Sequence, residues 1–180
     1  MGSVSGFAAV GGLRPRITLL LALASAGAWV GCHHFRPLEE CRVVGVSDGD
    51  TIRAVCDARE VTIRLWGIDC PERGMDFSRR ARQWTSDHAF GKSVQVLPMD
   101  RDAYGRLVAR VYVNGRDLSL GLVEAGLAWH FVRHAPNALE LAAAEAEARS
   151  ARKGLWSYPN PIPPWEFRED RRRERKPRRR

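Results

Sequence analysis

Three blocks of the chain alternate carboxylates and guanidiniums at the ends of apolar, strand-like runs. They are Asp48-Gly49-Asp50-Thr51, Arg64-Leu65-Trp66-Gly67-Ile68-Asp69-Cys70-Pro71-Glu72 and Asp102-Ala103-Tyr104-Gly105-Arg106. Carboxylates at strand ends suit a hard divalent cation, which prefers oxygen donors. Two arginines can clamp a phosphate bidentately, which lysines cannot. One more carboxylate beside both is what water attack on a phosphodiester needs. Asp50 and Asp69 are therefore the candidate metal ligands, Arg64 and Arg106 the candidate clamp, and Glu72 the candidate base or water-orienting group. Taken singly, each residue has a plainer reading: a turn residue, a cap before Pro71, a surface strand position or a solvent-facing loop carboxylate. The set in this order carries the chemistry.

The surrounding periodicity supplies elements to position the set. Val43 to Val46 and Thr51 to Val55 flank the Asp48-Gly49 turn, and Val61 to Trp66 alternates after Asp57 to Glu60. These three runs predict a meander. From Asp76 to Phe90 the period changes, and Phe77, Ala81, Trp84 and His88 fall on one helical face. Ser93 to Leu97 and Leu107 to Val113 return to strand, the latter ending at an Asn114-Gly115 hairpin turn. Asp117 to Ala128 predicts a second helix. Asn137 to Lys153 predicts a third, with Asn137 as its cap and Gly154 beyond its end. Five strands with a helix between the third and fourth give an α+β, mainly β, five-stranded OB-fold barrel with about three packed helices.

The same three blocks, from about Arg42 to Trp156, resemble the staphylococcal nuclease (thermonuclease) family. The resemblance implies the OB-fold barrel, with a nuclease domain over residues 35–157. It also implies a calcium-dependent nuclease that cuts DNA and RNA at the bond to the 5′ oxygen and leaves 3′-phosphate ends. In the family pattern the backbone carbonyl of Cys70 joins Asp50 and Asp69 around the cation. A main-chain ligand makes a cysteine side chain there tolerable, and calcium's roughly six to eight oxygens leave room for a substrate phosphate. Arg64 and Arg106 match the family's two arginines, and Tyr104 could hydrogen-bond a substrate phosphate. Asp48 reads as a turn residue or a support behind the ligands. The chain departs from well-known members at Ala103, where they have lysine, and at Val132 and His134, where they have tyrosines. Trp129, His130, Arg133 and His134 are candidates to substitute, with no role assigned. The alternative is a non-catalytic barrel that binds nucleic acid or a protein at the cell envelope.

At 180 residues and 44% hydrophobic, the chain has room for one domain with a real core plus tails. The net charge of +8 is uneven: residues 168 to 180 hold +6 of it. The body is nearly balanced, which argues against a globally basic nucleic-acid binder. Tyr158 to Pro164 reads as an extended, semi-stiff linker. Arg168 to Arg180 reads as a disordered tail, too charged to bury anything and remote from catalytic residues confined between Asp50 and Arg106. Two readings of that tail stay open, a salt-sensitive polyanion tether and a solvated end.

Arg14 and Arg16 precede an apolar stretch from Ile17 to Val30, shorter than the about 20 residues of a comfortable span. Residues 1–31 are therefore expected to be a signal peptide or an anchor, and the protein to be exported, secreted or periplasmic, as a monomer. Cys32 is a candidate lipid attachment site that would hold it at the membrane. Of the other cysteines, Cys41 and Cys56 face each other if Asp48-Gly49 is a two-residue loop. A bridge there would contribute roughly 3 kcal/mol, but a one-residue bulge would separate the pair. Cys70 is left unpaired. No Cys-x-x-Cys spacing occurs, which argues against zinc.

Overall fold

The computed structural model describes residues 38–175. The expected export segment, Cys32 and the last five residues lie outside them.

The meander forms as β1 (Glu39–Val46), β2 (Thr51–Cys56) and β3 (Arg59–Leu65), and a two-residue β4 (Ile68–Asp69) follows. After α1 (Ser78–Ala89) come β5 (Ser93–Arg101), β6 (Leu107–Val113), β7 (Arg116–Asp117) and α2 (Leu118–Glu124). The chain continues through β8 (Trp129–His130), α3 (Leu139–Ser150), a 3-10 turn over Gly154–Ser157 and α4 (Pro164–Arg175). The sheet order is β3-β2-β1-β5-β6-β7, and β3 also pairs in parallel with β6 through Ile63↔Leu107, Arg64↔Val108 and Leu65↔Ala109. That extra pairing closes β1, β2, β3, β5 and β6 into the expected five-stranded OB-type barrel. Among the described residues there are four helices, one more than expected. Among the described residues no helix is long and apolar enough to cross a membrane.

Alternation builds the interior. Ile52 and Ala54 of β2, Ile63 and Leu65 of β3, Val94 and Val96 of β5, and Ala109 and Val111 of β6 all point inward and are buried. Ile63 is wholly buried, so Ile63→Ala would cost about 2–5 kcal/mol. Leu118, Leu122 and Val123 of α2 and Leu141 and Ala144 of α3 extend the same core outward. A smaller cluster of Trp129, Ala148, Leu155 and Trp156 lies beyond, with Phe77 and Trp165 packed against it.

Several local expectations need correction. Asp48-Gly49 is not a two-residue loop: Val46 pairs with Ile52, and Ser47 N–H donates to the Thr51 carbonyl at 2.9 Å. The longer loop shifts the register by one, and a bulge at Val43–Gly45 shifts it back, so Cys41 again faces Cys56. The bulge thus enables the pairing it was expected to prevent. The two cysteines form a disulfide with Cα atoms 4.4 Å apart, the spacing of a non-hydrogen-bonded antiparallel pair. Asn137 does not cap α3; Ala138 holds that position without a side-chain bond. The buried face of α1 is Ala81, Thr85 and Ala89, turned away from exposed His88, which instead stacks on Trp84 with centroids 3.8 Å apart.

The largest correction is at the C-terminus. Arg168 begins no disordered tail, because Pro164–Arg175 is helical and Arg168 itself is ion-paired to Asp69 and Glu72. Pro164 at the first helical position has the backbone angle a helix needs and lacks only an N–H that would be unpaired anyway. Glu166 in the first turn and Arg172, Arg173 and Arg175 in the last complement the helix dipole. Trp165 stacks on Phe131 with centroids 5.4 Å apart, which docks the helix. The folded unit therefore runs past Ser157 to at least Arg175.

Candidate active site

The turn before β2 is held from beneath. Thr85 of α1 is fully buried and its hydroxyl donates to the Gly49 carbonyl at 2.6 Å. A Cβ on Gly49 would lie 2.8 Å from both the Ala81 Cβ and the Cys70 Sγ, so only glycine lets the turn sit on α1 and Cys70. This glycine is needed for space, not for a left-handed backbone. Asp50 then enters β2, where Thr51 lies directly opposite Arg64 of β3.

That register puts Arg64 between two buried carboxylates. Its guanidinium reaches Asp50 Oδ1 at 2.7 Å and Asp69 Oδ1 at 2.8 Å. Asp50 is 4% exposed and Asp69 1%. The other oxygen of Asp50 accepts the Cys70 backbone N–H at 2.9 Å, which holds the Cys70 main chain beside it. Asp69 is fixed through β4, whose partner β8 sets Asp69 opposite Trp129. Burial pushes the Asp50 carboxyl up to about 7, more than Arg64 pulls it down. Burial also pushes the Cys70 thiol well above its usual value, with the nearby aspartates adding to it, so this free cysteine is an unreactive packing group. Burial disfavours the Arg64 charge, but Asp50 and Asp69 more than offset it and its pKa is raised.

Glu72 stands at the mouth of this cluster after Pro71. Its carboxylate is bound by Arg168 of α4 at 2.6 Å, and the same guanidinium reaches Asp69 Oδ2 at 2.6 Å and Oδ1 at 3.2 Å. The tail expected to be remote thus places an arginine on a candidate ligand and the candidate base.

Arg106 approaches from the other side without touching the two aspartates. It is bound to Asp102, Nε to Oδ2 at 2.6 Å, and Asp102 also accepts the backbone N–H groups of Tyr104 and Arg106. Burial pushes the Asp102 carboxyl up, but these bonds and the Arg106 charge together outweigh it and hold the carboxyl below its usual range. Asp102 therefore shapes the turn and aims the arginine, a role the sequence reading left unassigned. Tyr104 is 81% exposed, with the Arg106 guanidinium 5.5 Å from its ring centre.

Asp50, Arg64, Cys70, Glu72, Asp102, Tyr104 and Arg106 line one cleft of about 600 Å³, together with Asp48, Phe131, His134, Arg168 and Arg172, and Asp69 lies buried behind its wall, bonded to Arg64 and Arg168. Of the two positions where family members have tyrosines, His134 faces this cleft and stacks on Phe131 with centroids 4.6 Å apart, while exposed Val132 does not line it. Trp129 and His130 are buried and structural: Trp129 packs edge-on to Trp156, and the His130 ring nitrogen bonds the Ala135 carbonyl at 2.8 Å. Arg133 does not line the cleft.

The donor set fits a hard cation. Its groups are oxygens, its two aspartates are buried, and Asp50, Asp69 and Glu72 carry more negative charge than Arg64 and Arg168 neutralise. The free thiol beside them is held protonated, which leaves a soft metal no thiolate.

Comparison with known proteins agrees with this geometry. The staphylococcal nuclease homologue family matches residues 62–158. The chain belongs to the staphylococcal nuclease family. It is 38% identical over 128 residues to an uncharacterized endonuclease of Escherichia coli, covering 71% of this chain and 83% of that one. It is 34% identical over 170 residues to a micrococcal nuclease of Shigella flexneri, covering 89% and 94%. A staphylococcal-like nuclease of Arabidopsis thaliana is 42% identical over 115 residues, which are 64% of this chain and 35% of that protein. Membership makes the chain a nuclease, a phosphodiester hydrolase. The matched span contains Arg64, Asp69, Glu72 and Arg106. Asp50 precedes it and α4 follows it, and both are tied to it by the ion pairs above.

Proposed function

We propose that the chain is a calcium-dependent nuclease that hydrolyses DNA and RNA to 3′-phosphate and 5′-hydroxyl ends. The observation that supports this most is the bridge of Arg64 across buried Asp50 and Asp69, with Glu72 at the mouth of the same cleft. Asp50, Asp69 and the Cys70 carbonyl would hold calcium, which supplies Lewis-acid polarisation of a phosphate oxygen. Glu72 orients a water and accepts its proton as the water oxygen bonds to phosphorus. The bond from phosphorus to the 5′ oxygen then breaks, and that oxygen leaves as a hydroxyl by taking a proton from solvent water, while Glu72 returns its own proton to solvent. Arg64 and Arg106 take up the charge that grows on the phosphate oxygens in the transition state, which is where electrostatic stabilisation accelerates the step. Tyr104, exposed at the rim, donates its hydroxyl to a substrate phosphate. A barrel that only bound nucleic acid would have no use for a carboxylate placed like Glu72.

End-group analysis tests the reading. DNA and RNA fragments made by the purified protein should resist polymerase extension until treated with phosphatase. Fragments extended without phosphatase would contradict the proposed bond, and uncut nucleic acid would contradict the activity.

The same reading proposes an exported monomeric enzyme. The Cys41–Cys56 disulfide supports this, since such bridges persist in oxidising compartments. A reporter fused after Cys32 should reach the far side of the membrane; one that stays in the cytoplasm refutes export. Retention in the membrane fraction, lost on Cys32→Ser, would identify a lipid anchor.

A further inference from the structure

The charges of α4 are sorted by face. Arg168, Arg171, Arg172 and Arg175 recur at the spacing that stacks side chains along one side of a helix. Glu166, Glu169 and Asp170 fall on the opposite side, where Arg173 lies 3.6 Å from Glu169 and 3.7 Å from Asp170. Among the described residues, Arg171, Arg172 and Arg175 have no carboxylate partner within ion-pairing distance. A merely solvated basic end has no reason to separate its charges in this way.

The arginine face is also the face turned to the cleft. Arg168 and Arg172 line it beside Asp50, Glu72, Tyr104 and Arg106. A second groove of about 380 Å³ leads away from Glu72 along the helix, and Glu72 is its one carboxylate. Arg73, Phe167, Arg168, Arg171, Arg172 and Arg175 make the rest of its wall. From Arg168 to Arg175 the helix advances roughly 10 Å at about 1.5 Å per residue. That equals the axial rise of about three nucleotides of one strand of a duplex, at roughly 3.4 Å of helix axis each.

We propose that this arginine face is a phosphate-binding track, which takes the backbone of a nucleic-acid strand on one side of the bond being cut. Arg168 is the inner end of the track, where it meets Glu72 and Asp69. Arg171, Arg172 and Arg175 continue it outward. The track rests on the nuclease reading above and extends it beyond the span that the family matches, which ends at residue 158. Arginine suits the role because its planar fork pairs with phosphate oxygens. Phosphate contacts of this kind give affinity and register without base preference.

The test is salt-dependent binding of a fluorescent, phosphorothioate single-stranded oligonucleotide to the full chain, followed by anisotropy in chelator. Each lost phosphate contact should flatten the slope of log affinity against log salt by about 0.7. Arg172→Gln should flatten it by that amount, and Arg171→Gln/Arg172→Gln/Arg175→Gln by about 2. Arg173→Gln removes the same charge from the outer face and should leave the slope as in the wild type. All four positions are exposed, so the fold should survive, and a thermal melt checks it. Equal flattening by Arg173→Gln and Arg172→Gln would reduce the effect to overall charge and overturn the track. Wild-type slopes in the triple variant of a protein that still cuts DNA would overturn the track alone. A wild type that neither binds nor cuts would overturn the track together with the nuclease reading.

Discussion

Asp69 is held by two arginines that the fold delivers in different ways. Arg64 comes from the adjoining strand β3, five residues earlier, and is also bound to Asp50. Its side chain is 18% exposed, with buried acceptors around it. Arg168 arrives on α4, 99 residues later, and shares its guanidinium between Asp69 and the half-exposed Glu72. Arg64 is therefore part of the barrel's frame, since removing it would leave two buried carboxylates without their shared partner. Arg168 belongs to a docked wall, since its loss leaves Asp69 still paired with Arg64. The difference separates a floor that must stay fixed from a rim that can exchange partners when a phosphate enters.

Kinetics should show the reacting groups of floor and rim most strongly. Glu72→Gln should lower kcat by about 10²–10⁴ while leaving nucleic-acid affinity near that of the wild type, because it removes a proton acceptor and not a phosphate clamp. Steady-state turnover beside a binding titration checks both halves. Arg64→Lys keeps the charge but loses the fork that spans Asp50 and Asp69, and should lower kcat by roughly 10²–10³. Arg106→Lys should act in the same direction with a smaller loss, since its guanidinium is tied only to Asp102 in a turn. Wild-type turnover in both lysine variants would leave the family likeness purely architectural.

Stability should separate the two arginines of Asp69. Arg64→Gln strands buried charge and should cost about 3–5 kcal/mol in denaturant unfolding. Arg168→Gln should cost only about 1–2 kcal/mol, because its partly exposed bonds are replaced in part by water. Equal losses would show that α4 is as integral to the frame as β3. The smallest effect is expected at the outermost group. Tyr104→Phe should raise KM by about two- to tenfold, the worth of one hydrogen bond, with kcat unchanged. A matching fall in kcat would place Tyr104 in the transition state instead.

How much of this the sequence revealed follows from how far apart in the chain the interacting groups lie. Asp50, Arg64 and Asp69 are set by strand alternation and one short connection, so their residue types and spacing were enough to bring them together. The same held for the closed barrel, whose strands each carry their own period. Arg168 was missed because its order is tertiary: Trp165 stacks on Phe131, and the guanidinium finds Asp69 and Glu72. Charge content alone reads such a segment as disordered. Pro164 followed by Trp165, with arginines recurring at helical spacing, was the available signal for a docked helix. The Cys41–Cys56 pairing was left open because two register shifts cancel, and neither the longer loop nor the bulge has a sequence mark of its own.

The most direct measurement is cleavage of plasmid DNA by the purified protein with calcium and with chelator. The oxygen donors Asp50 and Asp69, with the neighbouring Cys70 thiol held protonated, predict rapid loss of the plasmid in calcium. In chelator, and for Asp69→Asn in calcium, the plasmid should stay intact. Undiminished cleavage in chelator, or full activity in Asp69→Asn, would contradict the assignment of this cluster as the metal centre of the nuclease.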